Sequence, residues 1–321
     1  MITDLNRRAT LLTQAAAARA DELRISVSAR GDSGQTLDFG IDAQGGLAAG
    51  RALAEICLAG LGQVAVVPAG SDLPTELAVT VLTDEPVAAC LRSQYAGWQV
   101  TGEKYFAMGS GPMRAASGRE DVVQHLGGKE NADSVVGVLE THKTPPAAVV
   151  AEIAAKCGVK PADVTLAVAP TASFAGTIQI VARSVETALH KLHELGFDVR
   201  RIVSGHGVAP LPPVGRDDLK SIGWTNDAVL YGGTVTLWLR GDDESLAEIG
   251  PRVPSCSSNS HGQPFARLFE QAGGDFYKLD PHLFSPAVVV FVNIDSGRTF
   301  RFGRLEPEVL RSSFGLGAAR E

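Results

Sequence analysis

The sequence predicts a mixed α/β (α+β) fold. Strand and helix signals alternate through most of the chain. Between residues 134 and 203 they follow a β-α-β-α-β order, which indicates parallel strands joined by right-handed crossovers. The chain has 321 residues, of which 45% are hydrophobic, so it can bury a sizeable core and is long for one domain. We therefore expect two α/β domains.

The N-terminal half begins with a predicted amphipathic helix. The segment MITDLNRRATLLTQAAAARADELR has two early arginines but no continuous apolar stretch after them, so we expect a helix and not a signal peptide. The turn-rich segment RGDSGQ joins the first two predicted strands. Pro86 suits the first turn of the helix expected at 86–91. The elements expected here are strands at 23–29, 36–41, 64–67 and 76–82 and helices at 47–59 and 86–91.

The C-terminal half contains the clearest pattern. We expect strands at 134–139, 164–168 and 201–203, with helices at 146–157 and 178–195 between them. Later strands at 228–239, 287–293 and 299–302 resemble an antiparallel ribbon with an SGR turn. Segments 116–133 and 241–263 read as linkers. We place an N-terminal domain at 1–133, with completion by the C-terminal strands left open, and a second domain at 134–321.

Composition excludes several classes of protein. A net charge of −7 argues against non-specific nucleic-acid binding. The four cysteines are far apart and form no Cys-x-x-Cys pair, which fits buried thiols better than disulfides or structural zinc. No window approaches the ~18 apolar residues of a membrane span. We expect a soluble, cytoplasmic protein.

The segment APTASFAGTIQIVARSVETALHKLHELG carries the strongest chemical signal. A small-residue loop that would let a ligand approach leads into a helix with Arg183 and Glu186 one turn apart. At ~100° per residue, both lie away from the apolar stripe of that helix. Such a pair could activate water beside a cationic carbon, but helix geometry alone favours an ordinary solvated ion pair.

Two further patterns in the same region support weaker hypotheses. Glu186, His190 and His193 have a spacing that could hold a metal ion, although no third ligand cluster completes the site. Glu140 stands at the end of a predicted parallel strand, where ligands of open α/β sheets bind. For Glu140, a site and a plain structural role are about equally supported.

Other segments could bind a ligand or could be simple turns. Gly109-Ser110-Gly111-Pro112 permits close backbone approach but is neither a Walker A loop nor a dinucleotide fingerprint. Thr225-Asn226-Asp227 could hydrogen-bond a heterocycle or form an Asx-type turn before a strand at Ala228. His206 lies between two glycines without a nucleophile elbow, so a Ser-His-Asp hydrolase is unsupported.

Several motifs together resemble the methenyltetrahydromethanopterin cyclohydrolases. They are ACLRSQYAGWQV, KYFAMGSGP, APTAS followed by RSVETA, IVSGHG, GWTNDAVLYGG and VPSCSS…GQPF…DFYKLDP, in that order. The resemblance extends from about Leu23 to Ser312, nearly the whole chain. Such enzymes serve one-carbon metabolism in methanogenic archaea and methylotrophic bacteria.

The resemblance implies reversible hydrolysis of 5,10-methenyltetrahydromethanopterin to the 5-formyl compound, without a metal or nucleotide cofactor. It implies two domains that face each other across a deep cleft, and a homotrimer. Glu186 would be the general base and Arg183 the residue that holds it. The substrate contacts implied by the matching motifs are Ser93, Gln94, Lys104, Ser110, Gly111, Glu140, Thr171, Ser173, Thr225, Asn226 and Asp227.

The chain departs from the family pattern at a few positions. Arg92 and Tyr95 stand where the family commonly has Gly and Lys, which leaves the contacts to the acidic tail of the pterin open. His190 replaces an apolar residue, and His206 stands at a variable position. Two alternatives remain: a non-catalytic pterin carrier, which the Arg183/Glu186 pair argues against, and a nucleotide-binding protein that uses residues 109–111.

Overall fold

A computed structural model describes residues 4–28, 31–273 and 278–316, which form two six-stranded sheets with helices packed on them. The mixed α/β fold class predicted from the sequence is confirmed. The chain divides into two units, each built from two stretches of sequence. Unit 1 comprises residues 1–63 and 87–179, and unit 2 comprises residues 64–86 and 180–321. The domain boundary that we expect at residue 133 stays a prediction.

Unit 1 contains a sheet with a parallel centre. Its strand order is β1-β2-β8-β7-β6-β5, in which β2, β8 and β7 run parallel and the outer pairs are antiparallel. The strands are β1 Ser26–Val27, β2 Gln35–Asp38, β5 Trp98–Gly102, β6 Tyr105–Ser110, β7 Val135–Glu140 and β8 Val164–Ala169. The helices are α1 Leu5–Ala18, α2 Ala20–Leu23, α3 Leu47–Cys57, α4 Met113–Ser117, α5 Asp121–His125, α6 Ala147–Cys157 and the first six residues of α7 Phe174–Val181.

Buried apolar clusters cover both faces of this sheet. One joins strands β5 to β8 to α6 through Leu139, Val149, Ile153 and Leu166. The other joins the opposite face to α1 and α3 through Leu37, Leu53 and Val138, among others. Strand β8 is buried at every position, as expected for a parallel strand between two helical layers.

Unit 2 contains a sheet of mostly antiparallel strands. Its order is β12-β11-β10-β9-β4-β3, in which β10 and β11 pair in parallel, whereas β12 with β11, β10 with β9 and β9 with β4 pair antiparallel. The strands are β3 Gln63–Pro68, β4 Leu77–Thr83, β9 Ile202–Pro210, β10 Thr234–Leu239, β11 Val288–Asn293 and β12 Thr299–Gly303. The helices are α8 Ser184–Glu194, α9 Asp218–Gly232, α10 Asp243–Ile249, α11 Phe265–Gln271 and α12 Pro307–Phe314.

The two faces of the unit 2 sheet differ in exposure. Val81, Gly207, Val235 and Val289 form one cross-strand row, and all are buried. The neighbouring row points to the other face and is half-buried or exposed at every position: Leu82, His206, Thr236, Val290 and Arg301. The start of the helix at Ser184–Glu194 packs on the buried face, against Gly205 and Gly207.

Several sequence-based expectations were wrong. The strand expected at 228–239 is the end of α9 followed by β10, because the apolar run Ala228–Tyr231 is the fully buried C-terminal turn of a helix that Asp217 caps. A short apolar run is compatible with either a strand or a buried helical segment. Strand β9 pairs antiparallel in the second sheet instead of continuing the parallel order, and β10 and β11 are parallel instead of antiparallel.

Other expected segments differ in detail. The helix expected at 86–91 is a π-helical segment, Val87–Gln94. The supposed linkers contain α5 and α10. The end of the strand expected at 23–29 and the DFY of the DFYKLDP motif lie outside the described residues.

Candidate functional site

The helix expected at 178–195 is two helices. Helix α7 ends at Val181, and α8 begins at Ser184 with Arg183 as its N-cap residue. The Arg183 N–H donates to the Ile180 carbonyl at 3.0 Å, and its own carbonyl accepts from Thr187 N–H at 2.9 Å. Its φ of −88° and ψ of 6° are not helical. Arg183 and Glu186 therefore do not form an i,i+3 pair on one continuous helix.

Both members of the pair are buried. Arg183 is 5% exposed and Glu186 is 4% exposed, so the solvated surface pair that helix geometry favoured is wrong. Glu186 lies in the first turn of α8. The helix dipole there favours negative charge, and free backbone N–H groups point the same way. This position suits a carboxylate that must stay ionised.

Two glycines of β9 let the start of α8 approach the sheet closely. A Cβ at Gly207 would lie 2.2 Å from Ser184 Oγ, and one at Gly205 would lie 2.8 Å from Val185 Cγ1. Any larger residue would push the helix away. The IVSGHG motif thus serves to seat the helix that carries Glu186.

The carboxyl ends of the parallel strands in unit 1 bring several predicted residues together. Glu140 ends β7 and pairs in register with Ala169, the last residue of β8. Thr171 and Ser173 follow in the next loop, where Ser173 Oγ accepts from Gly176 N–H at 3.0 Å and so caps α7. This edge of an open α/β sheet is where ligands bind. The expected position of Glu140 is confirmed.

Sequence reasoning missed Gln179, which is fully buried on α7. Its Nε2 donates to Glu140 Oε1 at 3.2 Å and thereby fixes the carboxylate at the sheet edge. The sequence feature that could have identified Gln179 is its position as a single amide within the apolar run TIQIVA. An amide there must find a partner inside the fold.

Lys104 lies near the same edge. It occupies the tight turn between β5 and β6 with a φ of 55°, and its carbonyl accepts from Lys143 Nζ at 3.1 Å. The Thr141 hydroxyl donates to the Phe106 carbonyl at 3.2 Å, which ties the end of β7 to this hairpin. Two lysines and the half-exposed Phe106 thus flank the Glu140 end of the sheet.

Ser93, Gln94, Ser110 and Gly111 form a second cluster within unit 1, and Cys57 joins them. Ser93 Oγ donates to the Cys57 carbonyl at 2.7 Å, and Gly111 N–H donates to the Ser93 carbonyl at 2.9 Å. The Ser110 hydroxyl donates to the Val138 carbonyl at 3.3 Å. The side chains of Ser93, Gln94 and Ser110 are fully buried. Whether any of them contacts substrate stays a prediction.

The glycines of the GSG segment have packing roles. A Cβ at Gly109 would lie 2.9 Å from the Trp98 carbonyl, and Gly111 has a φ of +86°. Helix α4 after Pro112 has only five residues. Packing and backbone conformation therefore explain why glycine occupies these positions, and a bound nucleotide is not needed to explain them.

Thr225, Asn226 and Asp227 lie within α9 and not in a turn. The Thr225 hydroxyl donates to the Ser221 carbonyl at 2.8 Å, and Asn226 Nδ2 donates to the Ile222 carbonyl at 2.8 Å. Asp227 is fully buried and accepts from Phe265 N–H at 2.8 Å and from the Ser313 hydroxyl at 2.5 Å. Burial raises the pKa of Asp227 to about 7, against the effect of these two bonds.

His190 and Glu194 pair weakly, with 3.8 Å between Nε2 and Oε1. Among the residues that the structure describes, no group of three His, Cys, Asp or Glu side chains could hold a metal ion. Over the same residues, no helix is long and apolar enough to cross a membrane.

Comparisons with known proteins agree with these motifs. A family model described as Cyclohydrolase (MCH) matches residues 4–314. The chain belongs to this cyclohydrolase family. It is 50% identical to the methenyltetrahydromethanopterin cyclohydrolase of Rhodopirellula baltica over 88% of this chain and 86% of that protein. A protein of the same name from a Methylobacterium species is 46% identical over 97% of both chains.

An archaeal protein of the same name, from Methanococcoides burtonii, is 38% identical over 92% of this chain and 93% of its own. The resemblance inferred from the sequence motifs is thus confirmed for the family as a whole. In this member of the family, Arg183 and Glu186 are both buried at the start of α8, in unit 2. Glu140, Thr171, Ser173 and Gln179 gather at a sheet edge in unit 1.

Proposed function

We propose that this protein is a methenyltetrahydromethanopterin cyclohydrolase of one-carbon metabolism. The observation that carries the proposal is the burial of both Arg183 and Glu186 at the start of α8 in a member of the cyclohydrolase family. The substrate is 5,10-methenyltetrahydromethanopterin, and the product is the 5-formyl compound. The reaction is reversible, and it belongs to formaldehyde oxidation or methanogenesis.

The substrate explains why a carboxylate and a guanidinium suffice. The methenyl carbon belongs to an amidinium-like cation and is already electrophilic, so the reaction needs no metal or nucleotide cofactor. What it needs is a water molecule that loses a proton as it attacks. Glu186 accepts that proton while the new C–O bond forms. Its negative charge also complements the bound cation.

The second half of the reaction breaks the ring. The protonated Glu186 returns its proton to the departing nitrogen as the C–N bond breaks, and the hydroxyl on the carbon loses its proton to leave the formyl group. The cation and one water thus give the neutral formyl compound and one released proton. Arg183 keeps Glu186 ionised and orients it.

The sheet edge in unit 1 supplies candidate substrate contacts. We assign ring recognition to Glu140 with its partner Gln179, and to Thr171 and Ser173. Lys104 is suited to an acidic tail group because it is exposed beside Lys143. The contacts proposed for Ser93, Gln94, Ser110, Gly111, Thr225, Asn226 and Asp227 rest on the motif resemblance.

We also propose that the protein acts in the cytoplasm as a homotrimer. The row Leu82, His206, Thr236, Val290 and Arg301 is half-buried or exposed, and burial of its apolar members, Leu82 and Val290, against another chain supports an assembly surface here. Sedimentation at three times the chain mass of 33.6 kDa would support the trimer. Sedimentation at the mass of one chain would contradict it.

The activity is tested by following the methenyl chromophore after mixing with enzyme. We expect rapid loss of the chromophore with the wild type and, in Glu186→Gln, a kcat reduced by about a thousandfold with substrate binding retained. Glu194→Gln is the matched control, because Glu194 is an exposed glutamate at the far end of the same helix.

Two outcomes would contradict the proposal. Stoichiometric binding by the wild type with an intact chromophore would indicate a carrier and not an enzyme. Near-full turnover by Glu186→Gln would remove Glu186 from the mechanism.

A further inference from the structure

Helix α8 carries a second buried charge that the proposed chemistry does not use. Lys191, five residues after Glu186, is 2% exposed. Its Nζ donates to the His282 carbonyl at 2.7 Å and lies 3.0 Å from Nδ1 of the same residue. Lysine is almost never fully buried unless its charge is paired.

The turn that receives this ammonium is itself held firmly. His282 lies in the 3-10 turn Pro281–Leu283, and its N–H donates to Asp280 Oδ1 at 2.9 Å. The other Asp280 oxygen accepts from Ser258 Oγ at 2.5 Å. Ser258 belongs to the VPSCSS motif and Asp280 to the KLDP segment, two parts of the sequence signature with no other assigned role.

The ammonium is kept despite its cost to the fold. Burial lowers the pKa of Lys191 to about 8; Asp280 opposes this shift and Arg252 adds to it. Because this pKa is lower in the folded chain than in the unfolded chain, ionisation of Lys191 destabilises the fold at neutral pH, and stability is regained as pH rises above about 8. A residue selected for stability alone would not carry this charge.

The hydrogen bonds of Lys191 give α8 a directional contact. The helix also packs through the buried apolar side chains of Val185, Leu189 and Leu192, and apolar burial is non-directional. Hydrogen bonds constrain direction as well as distance. Lys191 lies about 140° around the helix from Glu186, so it restrains the helix from a different side.

We propose that Lys191 is a positioning residue that fixes α8 to the turn at Asp280–His282 and so holds Glu186 and Arg183 in the geometry needed to activate water. This inference rests on the proposed function of Arg183 and Glu186.

Lys191 has other charged and titratable groups around it. Those on the elements packed against α8, and on α8 itself, are Asp280, His282, Arg252, His206, Arg200, Arg201, Glu186, His190, His193 and Glu194.

The test compares Lys191→Met, Lys191→Arg and the exposed-lysine control Lys160→Met. We expect Lys191→Met to lower kcat about tenfold with KM nearly unchanged, because a misplaced catalytic group affects the chemical step more than binding. Lys160→Met should match the wild type. A kcat for Lys191→Met within about twofold of the wild type would overturn the proposal.

The pH profile separates positioning from a general loss of stability. Wild-type kcat should decline as pH rises through about 8, where Lys191 loses its proton. Lys191→Arg stays charged, so it should restore most of the activity and remove this decline. The same decline in Lys191→Arg would overturn the proposal.

Hydrogen exchange of residues 184–194 keeps this inference separable from the proposed function. Faster exchange in Lys191→Met than in Lys160→Met would support the restraint on α8, and unchanged exchange would overturn it. If the wild type shows no cyclohydrolase activity while exchange in Lys191→Met is faster, the proposed function fails and the restraint on α8 stands.

Discussion

The carboxyl edge of the unit 1 sheet and helix α9 of unit 2 both carry polar residues that the sequence marks as substrate contacts, but the fold uses them differently. In α9, Thr225 and Asn226 bond to carbonyls one turn earlier, and Asp227 bonds to Phe265 and Ser313. At the sheet edge, Glu140 is only half-buried and receives the Gln179 amide.

The difference follows from secondary structure. Short polar side chains inside a helix can bond to the backbone of their own helix. A side chain at the end of a parallel strand stands at an edge where the ladder stops, and a ligand can reach it. We therefore expect variants at α8 and the sheet edge to affect catalysis, and variants in α9 to affect stability more.

The largest effect in this comparison is expected for Arg183. In the proposed mechanism Arg183 keeps Glu186 ionised, so Arg183→Leu should lower kcat about a thousandfold. Arg183→Lys keeps the charge but loses the planar guanidinium group, and its kcat should lie between those of the wild type and Arg183→Leu. Steady-state kcat at saturating substrate measures both, with the exposed Arg216→Leu as control. Full activity in Arg183→Leu would exclude Arg183 from the mechanism.

A smaller effect is expected at the sheet edge. Glu140→Gln keeps the shape of the side chain but removes its charge, so KM should rise about tenfold while kcat changes less. Glu76→Gln, an exposed glutamate in unit 2, is the matched control. If kcat falls and KM does not change, Glu140 acts in the chemical step and not in binding.

The Glu140–Gln179 bond can be tested by a double-mutant cycle. Gln179→Leu should raise KM less than Glu140→Gln does, and the combined variant should show less than the sum of the two free-energy changes. Strict additivity would mean that Gln179 does not act through Glu140.

Local patterns in the sequence predicted the centre of the first sheet well. The strands β7 and β8, helix α6 between them and the parallel pairing all follow from apolar runs, Gly158 and the right-handed crossover rule. The second sheet was predicted less well, because its strands come from distant parts of the chain. Strand β9 pairs with β4, more than 100 residues earlier, and no local pattern encodes that partner.

The candidate site also depends on contacts that local sequence patterns do not encode. The sequence identified Arg183 and Glu186, but the regular helical spacing concealed the break at Ala182 and the burial of both side chains. Gln179 was missed because its partner, Glu140, is 39 residues away. Lys191 was missed because nothing in an HKLH segment shows that a turn near residue 282 accepts its ammonium.

The smallest effect on catalysis is expected at Asp227, where the measured quantity is stability. Burial raises the pKa of this carboxyl to about 7, from an ordinary value of 3.8. The folded chain therefore holds the proton more tightly than the unfolded chain, and stability is lost as pH rises from about 4 to about 7. Asp227→Asn cannot ionise and can keep both hydrogen bonds. Its advantage in unfolding free energy should grow by about 2 kcal/mol between about pH 5.5 and about pH 8.

Urea unfolding of wild type and Asp227→Asn at the two pH values measures this change, with the exposed Asp72→Asn as control. Comparing the two pH values cancels any constant difference in hydrogen bonding, so only the ionisation of residue 227 remains. A difference that does not vary with pH would mean that the pKa of Asp227 in the folded chain lies below about 5.5. The KM of Asp227→Asn tests the motif-based prediction that Asp227 contacts the substrate. An increase of more than about threefold would support a substrate contact. An unchanged KM would leave Asp227 as a residue that ties α9 to Phe265 and Ser313.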